Sequence, residues 1–170
     1  MVYHGSCHCG GVQLAVQTDG VLDDGGDHGV LECNCTGCQR VSAKCISLNI
    51  LNCDLLNNPP KTKQTAYITL YPSRNQVSVH DPNNLLRHYA FGVGLMRKTF
   101  CSVCGVHVLM DVNDALTDDQ VAALPPKARE WRDKMGPHFL CVTARVLEGV
   151  DLEKIKRTTR WDGRSMVSMF

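Results

Sequence analysis

The chain contains 170 residues, of which 44% are hydrophobic, and this length and composition fit one globular domain with a sizeable core. Its 18 basic and 17 acidic side chains leave a formal net charge of +1, which gives little electrostatic reason to bind nucleic acid. No apolar run approaches the roughly 20 residues that a membrane-spanning helix needs. We therefore expect a soluble protein with neither a nucleic acid nor a membrane as its partner.

Seven of the ten cysteines lie in three short clusters. The clusters are Cys7-His8-Cys9, Cys33-Asn34-Cys35-Thr36-Gly37-Cys38 and Cys101-Ser102-Val103-Cys104. Thiolates are strong zinc ligands, and ligands two or three residues apart can turn onto one ion without straining the backbone. Four sulfurs close a tetrahedral shell, whereas a catalytic zinc usually keeps three protein ligands and an open position. Seven thiols therefore divide naturally into a set of four and a set of three.

A disulfide framework is the alternative interpretation of these clusters, because such frameworks are common in small secreted chains. The first residues, Met1-Val2-Tyr3-His4, lack the basic stretch and the apolar run of a secretory signal. We therefore expect a reducing compartment, the cytoplasm, and metal binding in preference to disulfides. An isolated C-x-x-C sequence is equally typical of a redox pair, but three clusters together favour a metal.

The first half of the chain predicts two strands. Val12, Leu14 and Val16 alternate with more polar residues, which is the period of a half-buried strand directly after the first cysteine cluster. Residues 18–29 are rich in glycine and aspartate and predict a long polar turn. After the second cluster, the same alternation predicts a strand over residues 46–50.

The middle of the chain predicts several short strands. Asn57-Asn58-Pro59-Pro60 interrupts the chain, and β-rich segments follow it. These segments cover residues 66–71, 76–79 and 86–91, with turn sequences between them. Many short strands separated by turns indicate a compact antiparallel β architecture.

The third cluster has the pattern of a zinc knuckle, because Gly105 follows Cys104 and allows the chain to reverse beneath a metal. Alternation over residues 106–110 predicts a strand directly after it. We expect His107 to be a hydrogen-bonded neighbour of the site and not a ligand, since the thiols already suffice.

Helices are predicted only after residue 116. Thr117 and Gln120 form a capping box, Pro125-Pro126 ends the first helix, and a second helix covers Lys127–Met135. We expect a short helical insertion near 117–136 on the β body. A strand over residues 139–147 and a turn at residues 161–163 complete the prediction. The cysteines outside the clusters, Cys45, Cys53 and Cys141, are expected to be small buried hydrophobes.

With the clusters in place, the chain resembles the glutathione-dependent formaldehyde-activating enzyme family, which includes centromere protein V-like members. The resemblance rests on five segments in the order of the family, spread over nearly the whole chain. They are residues 5–11 (GSCHCGG), 33–38 (CNCTGC), 89–92 (YAFG), 100–107 (FCSVCGVH) and 147–152 (LEGVDL), the last followed by Asp162-Gly163.

The resemblance implies one all-β domain over residues 1–170, of the β-tent type, with two antiparallel sheets tied together by zinc. It also implies two zinc ions per chain. A structural zinc would be bound by Cys7, Cys9, Cys101 and Cys104. A reactive zinc with an open position would be bound by Cys33, Cys35 and Cys38.

The implied activity is that of a zinc-dependent carbon-sulfur lyase, with glutathione or a glutathione adduct as substrate. The adduct would carry formaldehyde or a larger electrophilic metabolite, and the long insertion makes a larger one more attractive. Asn34 stands where many relatives have histidine, so the resemblance does not identify the substrate of this chain. No general base is assigned, although His8, His88 and His107 are candidates.

The alternative function is a non-catalytic, zinc-stabilised binding module. The central three-cysteine site would then be structural, and a further side chain such as His8 or Cys45 would complete its shell. A chromatin-binding role, suggested by the centromere relatives, ranks third because the chain is nearly neutral and has no basic tail.

Overall fold

The computed structural model describes residues 1–22, 24, 30–33, 67–155 and 159–161, and within these ranges the chain forms ten β-strands and two α-helices. The strands fall into two sheets, so the expected all-β fold with a small helical insertion is confirmed. Among the residues described, no helix combines the length and the apolar character needed to cross a membrane.

The smaller sheet contains three strands in the order β1-β2-β5. They are β1 (Val2–Ser6), β2 (Gln13–Gln17) and β5 (Val77–His80), and both pairs are antiparallel. In β2 the predicted alternation is confirmed, because Leu14 and Val16 are buried while Gln13 and Gln17 are exposed. This sheet therefore presents one apolar face to the core.

The larger sheet contains seven strands in the order β10-β3-β4-β9-β8-β7-β6. They are β3 (Leu31–Cys33), β4 (Tyr67–Leu70), β6 (Leu86–Phe91), β7 (Met96–Cys101), β8 (His107–Val112), β9 (Leu140–Thr143) and β10 (Thr159–Trp161). All pairs are antiparallel except β10 with β3, which run parallel at one edge of the sheet.

The two sheets pack face to face around the main hydrophobic core. Both contribute buried aliphatic side chains, including Leu14 and Val16 from β2 with Ile68, Val108 and Val142 from the larger sheet. The backbone of β1 also meets the segment that follows the strand β9 and its 3₁₀ helix. Gly5 of β1 forms an isolated antiparallel bridge with Leu147, and the Glu148 N–H donates to the His4 carbonyl at 2.8 Å.

The two helices are α1 (Asp118–Ala122) and α2 (Pro126–Met135). The predicted capping box is present, because Thr117 Oγ1 accepts from the Gln120 N–H and Gln120 Oε1 accepts from the Thr117 N–H. Helix α2 begins one residue earlier than predicted, since proline is well tolerated in the first turn of a helix. A second core, which includes Leu124 and Ala128, packs the helices against the larger sheet.

Several predicted elements differ from the structure. The strand predicted over residues 139–147 is wrong beyond Thr143, where the chain turns into a 3₁₀ helix at Ala144–Val146 and approaches β1. Trp161, predicted to begin a turn, is the last residue of β10. The strand predicted over residues 46–50 lies outside the described residues.

Candidate metal centre

The first cysteine pair lies in a tight reversal between β1 and β2. The backbones of Cys7 and Val12 pair, with the Cys7 N–H donating to the Val12 carbonyl at 2.9 Å. The Val12 N–H in turn donates to the Cys7 sulfur at 3.3 Å. Gly10 has a φ of 74°, a conformation that glycine adopts without penalty, and its N–H donates to the Cys7 carbonyl. The reversal turns both sulfurs of the pair toward one point.

The second pair lies in an equivalent reversal between β7 and β8. Here the Cys101 N–H donates to the Val106 carbonyl at 3.0 Å, and the Gly105 N–H donates to the Cys101 carbonyl at 2.8 Å. Gly105 has a φ of 71°, so it fulfils the predicted role of allowing the chain to reverse. In both reversals the first cysteine bonds to the carbonyl five residues later. The two pairs are therefore held by the same local geometry on two different sheets.

The segment before β6 supports both reversals. A Cβ atom on Gly11 would lie 2.5 Å from Leu85 Cδ1, so Leu85 packs directly on the first reversal. The Leu85 carbonyl also accepts from the Ser102 N–H of the second reversal at 2.8 Å. Asp81 holds this segment, since its carboxylate accepts from the N–H groups of Leu85 and Leu86, and these bonds lower its pKa.

The four sulfurs of Cys7, Cys9, Cys101 and Cys104 converge on one point, with all four Sγ atoms within 4.8 Å of one another. The Cys7 and Cys9 sulfurs are 3.5 Å apart, and the Cys9 and Cys101 sulfurs are 3.7 Å apart. A disulfide bond requires a sulfur–sulfur distance of about 2.05 Å, and all four cysteines are free thiols. The structure thus joins two cysteine pairs that are about 92 residues apart in the sequence in a cluster that can hold a metal ion.

The donor set fits zinc. Tetrahedral coordination with Zn–S bonds of about 2.3 Å places sulfur atoms about 3.8 Å apart, close to the two sulfur separations in the cluster. Four thiolates are the donor set of closed structural zinc sites, which leave no position for a substrate. Two of the four cysteines, Cys7 and Cys101, are buried, while Cys9 is exposed and Cys104 is half-buried. The cluster accordingly lies at the rim of the core, where both sheets end.

The pKa values of two thiols in this cluster are shifted in opposite directions. Burial alone would raise the pKa of Cys104, but the backbone N–H groups of Val106 and Cys9 donate to its sulfur and lower the pKa to about 6. At Cys9 the N–H of Gly11 lowers the pKa, but the neighbouring sulfurs, Cys7 first, outweigh it and raise the pKa to about 12. Cys104 therefore forms a thiolate readily, whereas Cys9 retains its proton at pH 7 unless a cation is present.

The other predicted ligands lie wholly or partly outside the described residues. Cys33 is the last residue of β3, where its backbone pairs with Tyr67. Cys35 and Cys38 lie outside the described residues, as do Cys45 and Cys53. Cys141, predicted to be a small buried hydrophobe, is fully buried in β9.

The three candidate histidines lie in different surroundings. His107 is buried, and its Nδ1 is 3.1 Å from Thr143 Oγ1 on β9. Burial, and then the charge of Lys98, lower the pKa of His107 to about 3, which keeps its imidazole neutral at pH 7. His88 Nδ1 lies 2.9 Å from Thr99 Oγ1, and His8 is exposed.

Sequence reasoning missed a set of buried polar residues on the larger sheet. Lys98, Thr69, Thr143 and Asp111 are all at least nine-tenths buried. The Lys98 ammonium lies 5.6 Å from the centre of the Phe91 ring, a cation–π distance. Arg97 forms a paired ion bridge with Asp111 and also contacts Asp114. Threonine and lysine alternate with apolar residues in ordinary strands, so the sequence carries no signal that these side chains are buried.

Comparison with known proteins identifies the fold alone. No family model and no curated protein matches the chain. A crystal structure of a Rhodobacter sphaeroides protein, solved as a structural genomics target, is similar over 91% of this chain and 95% of that chain. The TM-score is 0.53 and the sequence identity is 19%. The two-sheet architecture therefore has a counterpart among solved structures, at an identity too low to indicate a shared activity.

Proposed function

We propose that the chain is a zinc-dependent carbon-sulfur lyase that acts on glutathione or a glutathione adduct. The observation that carries this proposal is the convergence of Cys7, Cys9, Cys101 and Cys104 into one four-sulfur cluster. Because four thiolates complete a tetrahedral shell, this cluster needs no ligand from the central CNCTGC segment. The three thiols of that segment are then left for a second site with an open position.

The four-cysteine cluster has a structural role in this proposal. Zinc bound there would join the β1–β2 reversal of the smaller sheet to the β7–β8 reversal of the larger sheet. Elsewhere the two sheets meet through the apolar core, and β1 also bonds to the segment after the 3₁₀ helix through the Gly5–Leu147 bridge and the Glu148–His4 hydrogen bond. Binding energy at such a site is folding energy, because the unfolded chain has no preformed cluster. The whole chain would then act as one zinc-stabilised domain.

The reactive site would be formed by Cys33, Cys35 and Cys38 as zinc ligands. Zinc held by three thiolates lowers the pKa of a thiol bound at its open position and favours the nucleophilic thiolate. In the condensation of a thiol with an aldehyde, a carbon–sulfur bond forms and the carbonyl oxygen gains the thiol proton. The reverse reaction breaks that bond and returns the proton to sulfur, so neither direction needs an oxidant or a reductant.

The surroundings of Cys33 are compatible with such a reaction. Its strand β3 pairs with β4, which in turn pairs with β9. These neighbouring strands carry the buried hydroxyl groups of Thr69 and Thr143, and the neutral His107 imidazole contacts Thr143. The free thiols of Cys7, Cys9, Cys101 and Cys104 support a reducing compartment such as the cytoplasm.

The test compares the zinc-loaded protein with Cys35→Ala, and uses Cys141→Ala as the matched control. Glutathione binding is measured by calorimetry, and the formation and breakdown of S-hydroxymethylglutathione by exchange NMR, with the uncatalysed rate subtracted. We expect the parent and Cys141→Ala to bind glutathione and accelerate exchange, and Cys35→Ala to do neither. A zinc-loaded parent that neither binds glutathione nor changes the rate would contradict the proposal.

The second candidate is a non-catalytic, zinc-stabilised binding module. One observation favours it: the cysteine cluster formed within the described residues is of the closed, structural type. If the central thiols form a second closed site, cobalt substituted there would give a spectrum that added thiol does not change. An exchangeable position would instead shift the cobalt absorption when glutathione is added.

A further inference from the structure

One edge of the larger sheet is long and exposed. Strand β6 ends the strand order and, among the described residues, pairs with β7 alone. Its side chains from Arg87 to Ala90 are all exposed, so neither face of the strand is covered there. Edge strands are commonly protected by proline, lysine, an inward charge or a bulge. Strand β6 contains no proline, lysine or acidic residue, and its register with β7 is continuous.

The hydrogen bonds around β6 show which of its backbone groups face away from β7. The Leu85 carbonyl accepts from the Ser102 N–H at 2.8 Å, directly beyond the end of β7. In an antiparallel pair, successive residues direct their N–H and C=O groups alternately toward the neighbouring strand and away from it. The groups of Leu86, His88 and Ala90 therefore face away from β7.

At Leu86 these outward groups are already bonded. Its N–H donates to the Asp81 carboxylate at 2.9 Å, and its carbonyl accepts from Arg87 Nη1 at 2.7 Å. His88 and Ala90 have no strand partner on this side within the described part of the chain. We call their two N–H and two C=O groups the free edge of β6.

We propose that this free edge binds the same edge of a second copy of the chain, which would join the two larger sheets into one antiparallel sheet. A two-fold axis at Tyr89 places His88 opposite Ala90 of the second copy. All the groups of both free edges are then bonded. A shift by two residues would place Ala90 opposite the already bonded Leu86, or His88 opposite Gly92 in the turn after β6.

The side chains of β6 suit this pairing with itself. In the proposed register, Tyr89 meets Tyr89 of the second copy at the axis, and Arg87 lies opposite Phe91 on the same face. The rings of Tyr89 and Phe91 already stack within one copy, with their centroids 6.4 Å apart. Aromatic pairs and guanidinium–ring contacts stabilise neighbouring strands, whereas like charges directly opposite destabilise them. Arg87 is the one permanently charged residue of β6 and does not face itself, which favours a second copy over an unrelated strand.

The test measures the association of the zinc-loaded full chain by sedimentation velocity, from about 1 to about 500 µM. We expect a reversible dimer. Ala90→Pro removes an outward N–H and leaves the bonds to β7 intact, and Tyr89→Lys places two like charges opposite each other at the axis. Each should weaken the dimer about thirtyfold or more. Val79→Lys adds the same charge at an exposed position of the edge strand β5 and should leave the dimer unchanged.

Hydrogen exchange in the parent locates the interface without relying on any variant. The amides of His88 and Ala90 should exchange slowly only at concentrations where the parent is dimeric, whereas the bonded Leu86 amide should be protected at all concentrations. A parent that stays monomeric overturns the inference, as does a dimer in which these two amides remain unprotected or which Tyr89→Lys does not weaken. Dissociation by Val79→Lys would move the interface to β5 and overturn it too. The proposed lyase activity is independent of each of these outcomes.

Discussion

Replacing His107 by asparagine should make the folding stability less dependent on pH between pH 7 and pH 5. His107 is buried on β8 and contacts Thr143 through Nδ1 at 3.1 Å. Asparagine is the conservative choice because its side-chain amide reaches about as far as the Nδ1 atom. The variant therefore removes the titrating group with little change in the hydrogen bond.

The size of the effect follows from the shifted pKa. Burial, and then the charge of Lys98, lower the pKa of His107 from 6.5 to about 3. Between these values the unfolded chain binds a proton at His107 and the folded chain does not, so stability falls as the pH falls. Each pKa unit corresponds to about 1.4 kcal/mol, and pH 5 lies about 1.5 units below the unfolded value. His107 therefore costs the parent about 2 kcal/mol of stability between pH 7 and pH 5.

The assay is urea unfolding of the zinc-loaded protein at pH 7 and pH 5. Protonation of the cysteine thiolates affects the parent and the variant alike. The difference between their free energies of unfolding therefore changes with pH only because of His107. We expect this difference to change by about 2 kcal/mol in favour of the variant at pH 5. His80→Asn, at an exposed position of β5, controls for loss of an imidazole. Parallel pH profiles for the parent and His107→Asn would refute the reasoning.

Three other substitutions test the packing. Arg97→Ala should lower the free energy of unfolding by about 3 kcal/mol, because it leaves the buried Asp111 carboxylate without the guanidinium that pairs with it. Gly5→Ala should destabilise by more than about 2 kcal/mol, since its Cβ would lie 2.3 Å from the Val146 carbonyl oxygen. Cys141→Ala should cost about 1 kcal/mol and leave the zinc content unchanged, because Cys141 lies outside the cluster.

Urea unfolding checks the stabilities, and elemental analysis checks the zinc content. Lys154→Ala removes an exposed ion pair with Asp151 and should change stability by less than about 0.5 kcal/mol, which makes it the control for Arg97→Ala. If Lys154→Ala and Arg97→Ala lowered the free energy of unfolding equally, the ion pair between Arg97 and Asp111 would not be shielded from water. A neutral Gly5→Ala would contradict the close approach of β1 to Val146. Loss of zinc in Cys141→Ala would make Cys141 a ligand.

Much of the β architecture could be predicted from local patterns. The alternation at residues 12–16 identifies β2, and Gly105 after Cys104 identifies the second reversal. Strand β1 was missed because its sequence, VYHGS, has no apolar alternation, and its glycine is needed for contact with residue 146. The parallel pairing of β10 with β3 was also missed, since a three-residue strand depends on its partners and not on its own sequence.

The candidate metal site could be predicted only in part. Cysteine spacing identifies the clusters, but spacing alone does not determine which clusters meet in space. The grouping of the first and third clusters was implied by the resemblance, and in the structure these four sulfurs do converge. Thr69 was missed because a threonine in a strand is ordinary, and only the tertiary structure reveals that its hydroxyl is buried without a partner.

The most direct test of the two-site proposal is the number of zinc ions per chain, measured by elemental analysis under reducing conditions. We expect two zinc ions in the parent, one in a Cys35→Ala protein that remains folded, and loss of folding in Cys101→Ala. This pattern would identify a structural site and a separable second site. A single zinc in the parent that Cys35→Ala does not remove would contradict the enzyme proposal and leave a zinc-stabilised binding module.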